Sequence, residues 1–235
     1  MKNLDFFSGI KAGMPIAIGY FPVALTFGLL AKTTGLSIVE ATAMSIFVYA
    51  GASQYVSLTL ISKGVDPFVI VLNTFILNIR HFLMSASLNE KTEAAPKWMK
   101  GLFAFWVTDE TFSVLATRKE ERIPMSFGFG VNLIAYSSWC IFTAVGHSIG
   151  ANLPAFLQAA MSIALYAMFI GLLVPSMRGN RKVLALAAIA AAINCIFYLT
   201  EILSTGWAII VSALASALLV ELIYLRYEKK KRITT

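Results

Sequence analysis

Charge is scarce in this chain. Of its 235 residues only 13% are Asp, Glu, Lys or Arg, about half the share of a soluble domain. Against this, 58% are hydrophobic and the mean hydropathy is +0.77. Long polar stretches are missing too: the longest run only from about Asn89 to Lys100 and from Arg118 to Pro124, which leaves no room for a soluble domain. There are two cysteines and two histidines, with no C-x-x-C or His-x-x-x-His spacing. That excludes a disulfide framework and a structural metal site, and no cofactor motif is present. Cys140 and Cys195 fall in apolar stretches and read as small buried hydrophobes.

What fills the chain instead is apolar runs of about 20 residues, the length that crosses some 30 Å of hydrocarbon. They lie at approximately 6–31, 40–62, 67–88, 102–116, 125–149, 152–175, 182–203 and 206–225. The fold expected is therefore an all-α, polytopic membrane protein with about eight transmembrane helices, forming a single transporter domain over 1–235. The fourth run is short and interrupted by Asp109 and Glu110; if it is re-entrant or tilted, seven spans remain. The first run is too long for a secretory signal and contains Lys11 and Pro15, so it reads as the first span.

Basic residues in short loops set orientation. With Lys2 on the cytoplasmic side, an even-span arrangement collects Lys63, then Arg118, Lys119 and Arg122, then Arg178, Arg181 and Lys182, and the tail from Arg226 to Arg232 on that side. Both termini are then cytoplasmic. The misfit is the loop with Lys91, Lys97 and Lys100, which this count places outside. The net charge of +7 sits in these loops and the tail, where anionic lipid accounts for it without any nucleic-acid partner.

An internal duplication is also suggested. Ala43-Met44-Ser45-Ile46-Phe47-Val48-Tyr49-Ala50 reappears as Ala160-Met161-Ser162-Ile163-Ala164-Leu165-Tyr166-Ala167, and Gly13 and Gly130 share the same offset. Half-repeats 1–117 and 118–235 would follow, with a solute site where they meet. Chance recurrence of common span residues is the competing reading.

Ionisable residues at membrane depth are costly, and they mark solute or ion paths. In the second span Gly51-Ala52-Ser53-Gln54 frees the backbone and offers Ser53 and Gln54 as donors, as broken helices do in transporters. The third span carries Asn78, Arg80 and His81 on a broad polar face. Arg80 presents a fork that fits a carboxylate, and His81 titrates near neutrality. In the fourth, Asp109 and Glu110 project about 100° apart on a helix, so that one can pair with Arg80 while the other faces a cavity. His81, Asp109 and Glu110 are the candidates for proton coupling. An Arg80–Asp109 pair serving structure alone is the competing reading. A passive channel, an exporter of another small zwitterionic solute and, remotely, an intramembrane serine hydrolase built on Ser53 with His81 or His147 are the rival functions. The hydrolase leaves Arg80, Asp109 and Glu110 without a role, so the chain does not read as an enzyme.

Three ordered segments carry a family resemblance: Tyr49-Ala50-Gly51-Ala52-Ser53-Gln54-Tyr55, Asn78-Ile79-Arg80-His81-Phe82-Leu83-Met84 with Ser87-Leu88, and Thr108-Asp109-Glu110-Thr111-Phe112. They resemble the motifs of the AzlC/YgaZ family. The likeness covers nearly the whole chain, starting from Gly19, Pro22, Phe27 and Gly28 in the first span. It implies the large subunit of a bacterial inner-membrane exporter of branched-chain amino acids, working with a small AzlD/YgaH-like membrane subunit.

Residue chemistry and resemblance meet at one requirement. A zwitterion needs a cation for its carboxylate and an anion or carbonyls for its ammonium, and a branched side chain needs an apolar pocket. Gly51, Ser53, Gln54, Asn78, Arg80, Asp109 and Glu110 are the expected substrate-binding residues, with Tyr55, Phe82 and Phe112 as apolar walls.

Overall fold

The computed structural model describes residues 4–149, 177–203 and 205–234, with isolated positions 156, 163, 170, 173 and 174. Among the described residues the regular structure is all helix, joined by turns and loops, with one isolated bridge between Thr92 and Ile123. The helices are α1 (Phe6–Thr33), α2 (Ile38–Phe47), α3 (Gly51–Ser62), α4 (Pro67–Lys91), α5 (Lys97–Phe105), α6 (Asp109–Ala116), α7 (Met125–Ile149), α8 (Arg181–Thr200) and α9 (Thr205–Thr234). Five of them are long and apolar enough to cross a membrane: α1, α4, α7, α8 and the segment Trp207–Arg226 of α9. The second copy of the octapeptide, at 160–167, lies outside the described residues except for Ile163.

The described chain divides into two compact units, one of Met1–Thr59 and Leu77–Ala164, the other of Leu60–Ile76 and Leu165–Thr235. In the second unit Asn180 caps α8 by accepting from the Lys182 and Val183 amides at 3.1 and 3.3 Å. Glu201 ends the helix in a left-handed conformation, φ +52°. The ion pair from Lys182 Nζ to Glu221 Oε2, 2.6 Å, joins the start of α8 to the far part of α9, so the two helices run antiparallel.

The first unit is built on α1 and α7. Asp5 caps α1 by accepting from the Ser8 amide at 2.7 Å, and that bond holds its carboxyl below the usual carboxylate range. Glycines let the two helices touch backbone to backbone: a Cβ on Gly9 would overlap the Phe127 carbonyl, one on Gly28 the Thr143 carbonyl, and one on Gly146 the Leu25 carbonyl. Early residues of α1 meet early residues of α7, and late meet late, so the pair is parallel. Small residues at such a seam replace the hydrophobic drive that lipid cannot supply. Ser138 Oγ donates to the Ala17 carbonyl at 2.7 Å and fixes the register.

The second and fourth apolar runs are not crossed by one helix. Each breaks into two short helices and turns back. Gln54 Nε2 donates to Ser45 Oγ at 3.1 Å across nine residues, which would lie about 14 Å apart along an unbroken helix. The reversal falls at Tyr49, whose φ is +42°. Helices α5 and α6 form the second hairpin. Lys100 Nζ, near the start of α5, donates to Asn89 at 2.8 Å, and Lys91 donates to the carbonyls of Ala116 and Arg118, both at 2.6 Å, at and just past the end of α6. Both ends of that hairpin therefore lie beside the end of α4.

This geometry corrects the loop assignment made from sequence. Counting 102–116 as a full span puts Lys91, Lys97 and Lys100 on the face opposite Arg118, Lys119 and Arg122. The re-entrant hairpin brings all six to one end, with the start of α7 and the start of α1, where the Phe6 carbonyl meets Gly130. The basic misfit is thereby removed.

Candidate functional site

The two hairpin tips meet near the midpoints of the through-going helices of the first unit. Tyr20 is fourteen residues from the start of α1 and thirteen from its end. Tyr136 has eleven and thirteen residues of α7 on either side, and Arg80 thirteen and eleven of α4. Tyr136 packs on both tips: its ring lies edge-on to Tyr49, centroids 4.9 Å apart, and tilted against Trp106 at 5.2 Å. Its hydroxyl donates to the Ile46 carbonyl at 3.0 Å.

The first tip is locked from within. Trp139 Nε1 donates to Gln54 Oε1 at 3.0 Å, and Gln54 Nε2 donates to Ser45 Oγ. Ser45 and Thr143 hydroxyls are 2.8 Å apart, and Thr143 donates back to the Trp139 carbonyl at 2.8 Å. Because Thr143 spends its proton on that carbonyl, Ser45 is the donor between the two hydroxyls, and the circuit closes. Every member is buried, and a fully satisfied network of this kind fixes one arrangement of the backbone. Ser53 Oγ donates to the Ala50 carbonyl at 3.0 Å, within the turn. Gly51 gives Trp139 its place, since a Cβ there would stand 2.9 Å from Trp139 Cη2.

The second tip carries the charges. Thr108 caps α6 in a capping box with Thr111, and Asp109 and Glu110 form its first turn. Carboxylates are favoured there by the helix dipole. The 100° between them is used as the residue pattern anticipates: Asp109 Oδ2 holds Arg80 Nη1 at 2.8 Å, whereas Glu110 Oε2 accepts from the Tyr20 hydroxyl at 2.5 Å. The Tyr20 hydroxyl is also 2.8 Å from Thr108 Oγ1, and its ring stands edge-on to Trp139 at 5.2 Å. One connected path thus runs from Gln54 through Trp139, Tyr20, Glu110 and Asp109 to Arg80.

Three polar atoms at this level are buried without a hydrogen-bond partner: Arg80 Nε, Asn78 Oδ1 and the Tyr49 hydroxyl. The Arg80 side chain as a whole is 41% exposed and that of Asp109 28%, so the pair is not sealed inside a core. His81 is half-buried beside them. His147 is elsewhere, with Nε2 2.8 Å from the Leu36 carbonyl, and it is not bonded to Ser53.

Of the residues expected from sequence, Asp109, Glu110 and Arg80 come into direct or adjacent contact, and Gln54 joins them through two aromatic residues. Phe82 is 75% exposed on α4, and Tyr55 turns its hydroxyl to the Val23 carbonyl at 2.7 Å. Sequence reasoning passed over Tyr20, Trp139, Tyr136, Ser45 and Thr143. Their one signal is polar tips on side chains in mid-span, which a buried aromatic in a membrane must satisfy.

Apolar through-helices, two half-membrane hairpins and a charged cluster at their meeting point define a multi-pass membrane protein of the transporter type. Comparison with known proteins agrees. The family model described as "AzlC protein" matches residues 15–153. An uncharacterized membrane protein of Archaeoglobus fulgidus is 34% identical over 93% of this chain and 95% of its own length. Inner membrane protein YgaZ of Escherichia coli is 32% identical, covering 81% of each chain. The branched-chain amino acid transport protein AzlC of Bacillus subtilis is 24% identical over 75% of this chain and 70% of its own. The chain belongs to the AzlC family, a family of membrane transport proteins. No solved structure matches it.

Proposed function

We propose that this chain exports branched-chain amino acids, valine, leucine and isoleucine with methionine as a further candidate, from a bacterial cell across the inner membrane. The observation that carries the reading is the divided Arg80 fork: Nη1 is committed to Asp109 while Nε is buried and unpartnered. An unpaired buried donor on a cation is costly unless a ligand fills it. A solute carboxylate fits it in charge and geometry. Glu110, one residue from Asp109, supplies the opposite charge for the ammonium end. The Escherichia coli relative, an inner membrane protein, and the Bacillus subtilis relative, a branched-chain amino acid transport protein, support the membrane and the substrate class.

Export is driven by protons in this reading. Glu110, bonded to Tyr20, is the group that exchanges a proton for the solute ammonium, with His81 and Asp109 as the neighbouring titratable groups. Asn78 Oδ1 is a further acceptor for the solute. Gly51, Ser53 and Gln54 serve the site by holding the first tip in place. The basic end of the first unit faces the cytoplasm, with both termini on that side, in line with the excess of Lys and Arg. A small hydrophobic AzlD/YgaH-like subunit completes the transporter.

The test is efflux of labelled valine, leucine, isoleucine and methionine from preloaded cells, with and without this chain and its small partner. Efflux that needs both chains and rises with an inward proton gradient is expected. No efflux of these solutes from the pair would overturn the reading, and flux indifferent to any gradient would make the protein a channel.

A further inference from the structure

Among the described residues, the Tyr49 hydroxyl at the first hairpin tip has no well-formed hydrogen bond. Tyr49 is 2% exposed and its hydroxyl oxygen is buried, while Gln54, Ser45 and Thr143 at the same tip each have partners. It faces the Glu110 carboxylate and the Tyr20 hydroxyl; Tyr20 lies near enough to bear on it, but no well-formed hydrogen bond joins them. Its ring is fixed edge-on against Tyr136, so the hydroxyl cannot swing away to find water. The backbone adds a second, independent sign. Tyr49 adopts φ +42°, a left-handed conformation that a bulky L residue seldom takes, and such outliers gather at ligand sites. Glycine would turn the chain here more easily, and the next two positions, Ala50 and Gly51, are small. A tyrosine placed at the strained position, with its hydroxyl unspent, points to a use for the hydroxyl.

We infer that Tyr49 and Glu110 together form the receptor for the solute's primary ammonium group, one from each hairpin tip. The inference rests on the transport reading above. The ammonium has three N–H donors. Placed between the tips, it would give one to the Glu110 carboxylate and one to the Tyr49 oxygen, filling the orphaned acceptor. Binding of the solute would then tie the α2/α3 tip to the α5/α6 tip, both of which pack on the ring of Tyr136.

The test is Tyr49→Phe in the full chain together with its small partner subunit in lipid nanodiscs, read by calorimetric binding and by thermal unfolding. Two probes are used: leucine, and 4-methylpentanoate, which keeps the carboxylate and side chain but lacks the amine. Deleting a buried hydroxyl that has no partner leaves stability unchanged or raised. The expected result is a leucine Kd about tenfold or more higher, the worth of a hydrogen bond to a charged group, with Tm held and 4-methylpentanoate bound as by the wild type. Equal weakening for both probes, unchanged leucine binding, or a fall in Tm alongside the loss would each overturn the inference. If the wild type itself binds no branched-chain amino acid, the transport reading fails and takes this one with it; wild-type binding that survives in the variant removes only the role of Tyr49.

Discussion

Gln54 donates to Ser45 at 3.1 Å although nine residues of chain separate them, and this contact is what makes the second apolar run a hairpin. The helix broken at Tyr49 leaves half-membrane pieces of ten and twelve residues, about 15 and 18 Å long. Neither reaches across the hydrocarbon alone. The backbone exposed at the tip is tolerable only because it is surrounded by protein, and the Gln54–Ser45–Thr143–Trp139 circuit supplies that surround.

Gln54→Leu should therefore act on folding before it acts on transport. The substitution keeps side-chain volume but leaves the Trp139 N–H without an acceptor and Ser45 without a donor, at a cost of about 1–3 kcal/mol. Membrane abundance and thermal stability are expected to drop together, with transport per folded molecule much less affected. Normal stability with lost transport would instead place Gln54 among the solute contacts.

Arg80→Lys separates positioning from recognition at the second tip. Lysine can still meet Asp109 as a point charge but has no Nε–H to offer. Export should fall at least tenfold while abundance holds. A collapse of abundance would mean that the pair serves structure, because breaking it leaves an uncompensated charge at depth. Wild-type export at wild-type abundance would sink both readings.

Glu110→Gln tests the proton step. The amide oxygen can still accept from Tyr20, so the α1–α6 contact survives, but neither a proton nor an ammonium is held by charge. Residual efflux of leucine from proteoliposomes should lose its response to a pH gradient. An undiminished response would move proton coupling to His81 or Asp109.

Much of this was legible in the residues. The apolar runs, the breakpoint beside Gly51, and the divergence of Asp109 and Glu110 follow from hydropathy, glycine and helix geometry. Reversal of the second run did not, because twenty-odd apolar residues have the same composition whether they cross the bilayer or dip into it and return; for the short, charge-interrupted run 102–116 a re-entrant course was one of the readings the residues left open. The decisive facts are long-range: Ser45 finding Gln54, and Lys91 finding Arg118. The basic loop from Lys91 to Lys100 was the one hint, since only a re-entrant α5/α6 puts its lysines beside Arg118, Lys119 and Arg122. Tyr20 and Trp139 stayed invisible for another reason. An aromatic in mid-span has the same sequence signature whether its polar tip is tied to a carboxylate or to a neighbouring carbonyl.

The shared face of those two loops is testable by labelling. With Cys140 and Cys195 replaced by alanine, single cysteines at Glu93 and Glu120 should react with a membrane-impermeant maleimide only in inverted vesicles. A cysteine at Thr34, at the far end of α1, should react in intact cells freed of their outer barrier. Opposite accessibility of Glu93 and Glu120 would restore a full span at 102–116 and remove the second hairpin.

The α1–α7 seam gives the sharpest contrast, because glycines of the same helix have opposite surroundings. Around Gly28 a Cβ would overlap the Thr143 carbonyl and stand 2.6 Å from the His147 amide nitrogen, whereas at Gly19 nothing lies within 4 Å. Backbone cannot yield as a side-chain end can, so Gly28→Ala must part the two helices. That would disturb Thr143, which closes the hydrogen-bond circuit, and through it the first hairpin tip. The expected cost is about 1–3 kcal/mol, as for overpacking elsewhere. It should be visible as lower Tm and abundance, with leucine binding weakened as Tyr20 and Trp139 lose register. Gly19→Ala removes backbone freedom from the middle of a helix at no steric cost, and should be neutral or stabilising by up to about 1 kcal/mol. Thermal unfolding of the two purified variants decides the matter: equal behaviour would mean that α1 and α7 do not meet backbone to backbone, and that the scaffold holding both tips is differently built.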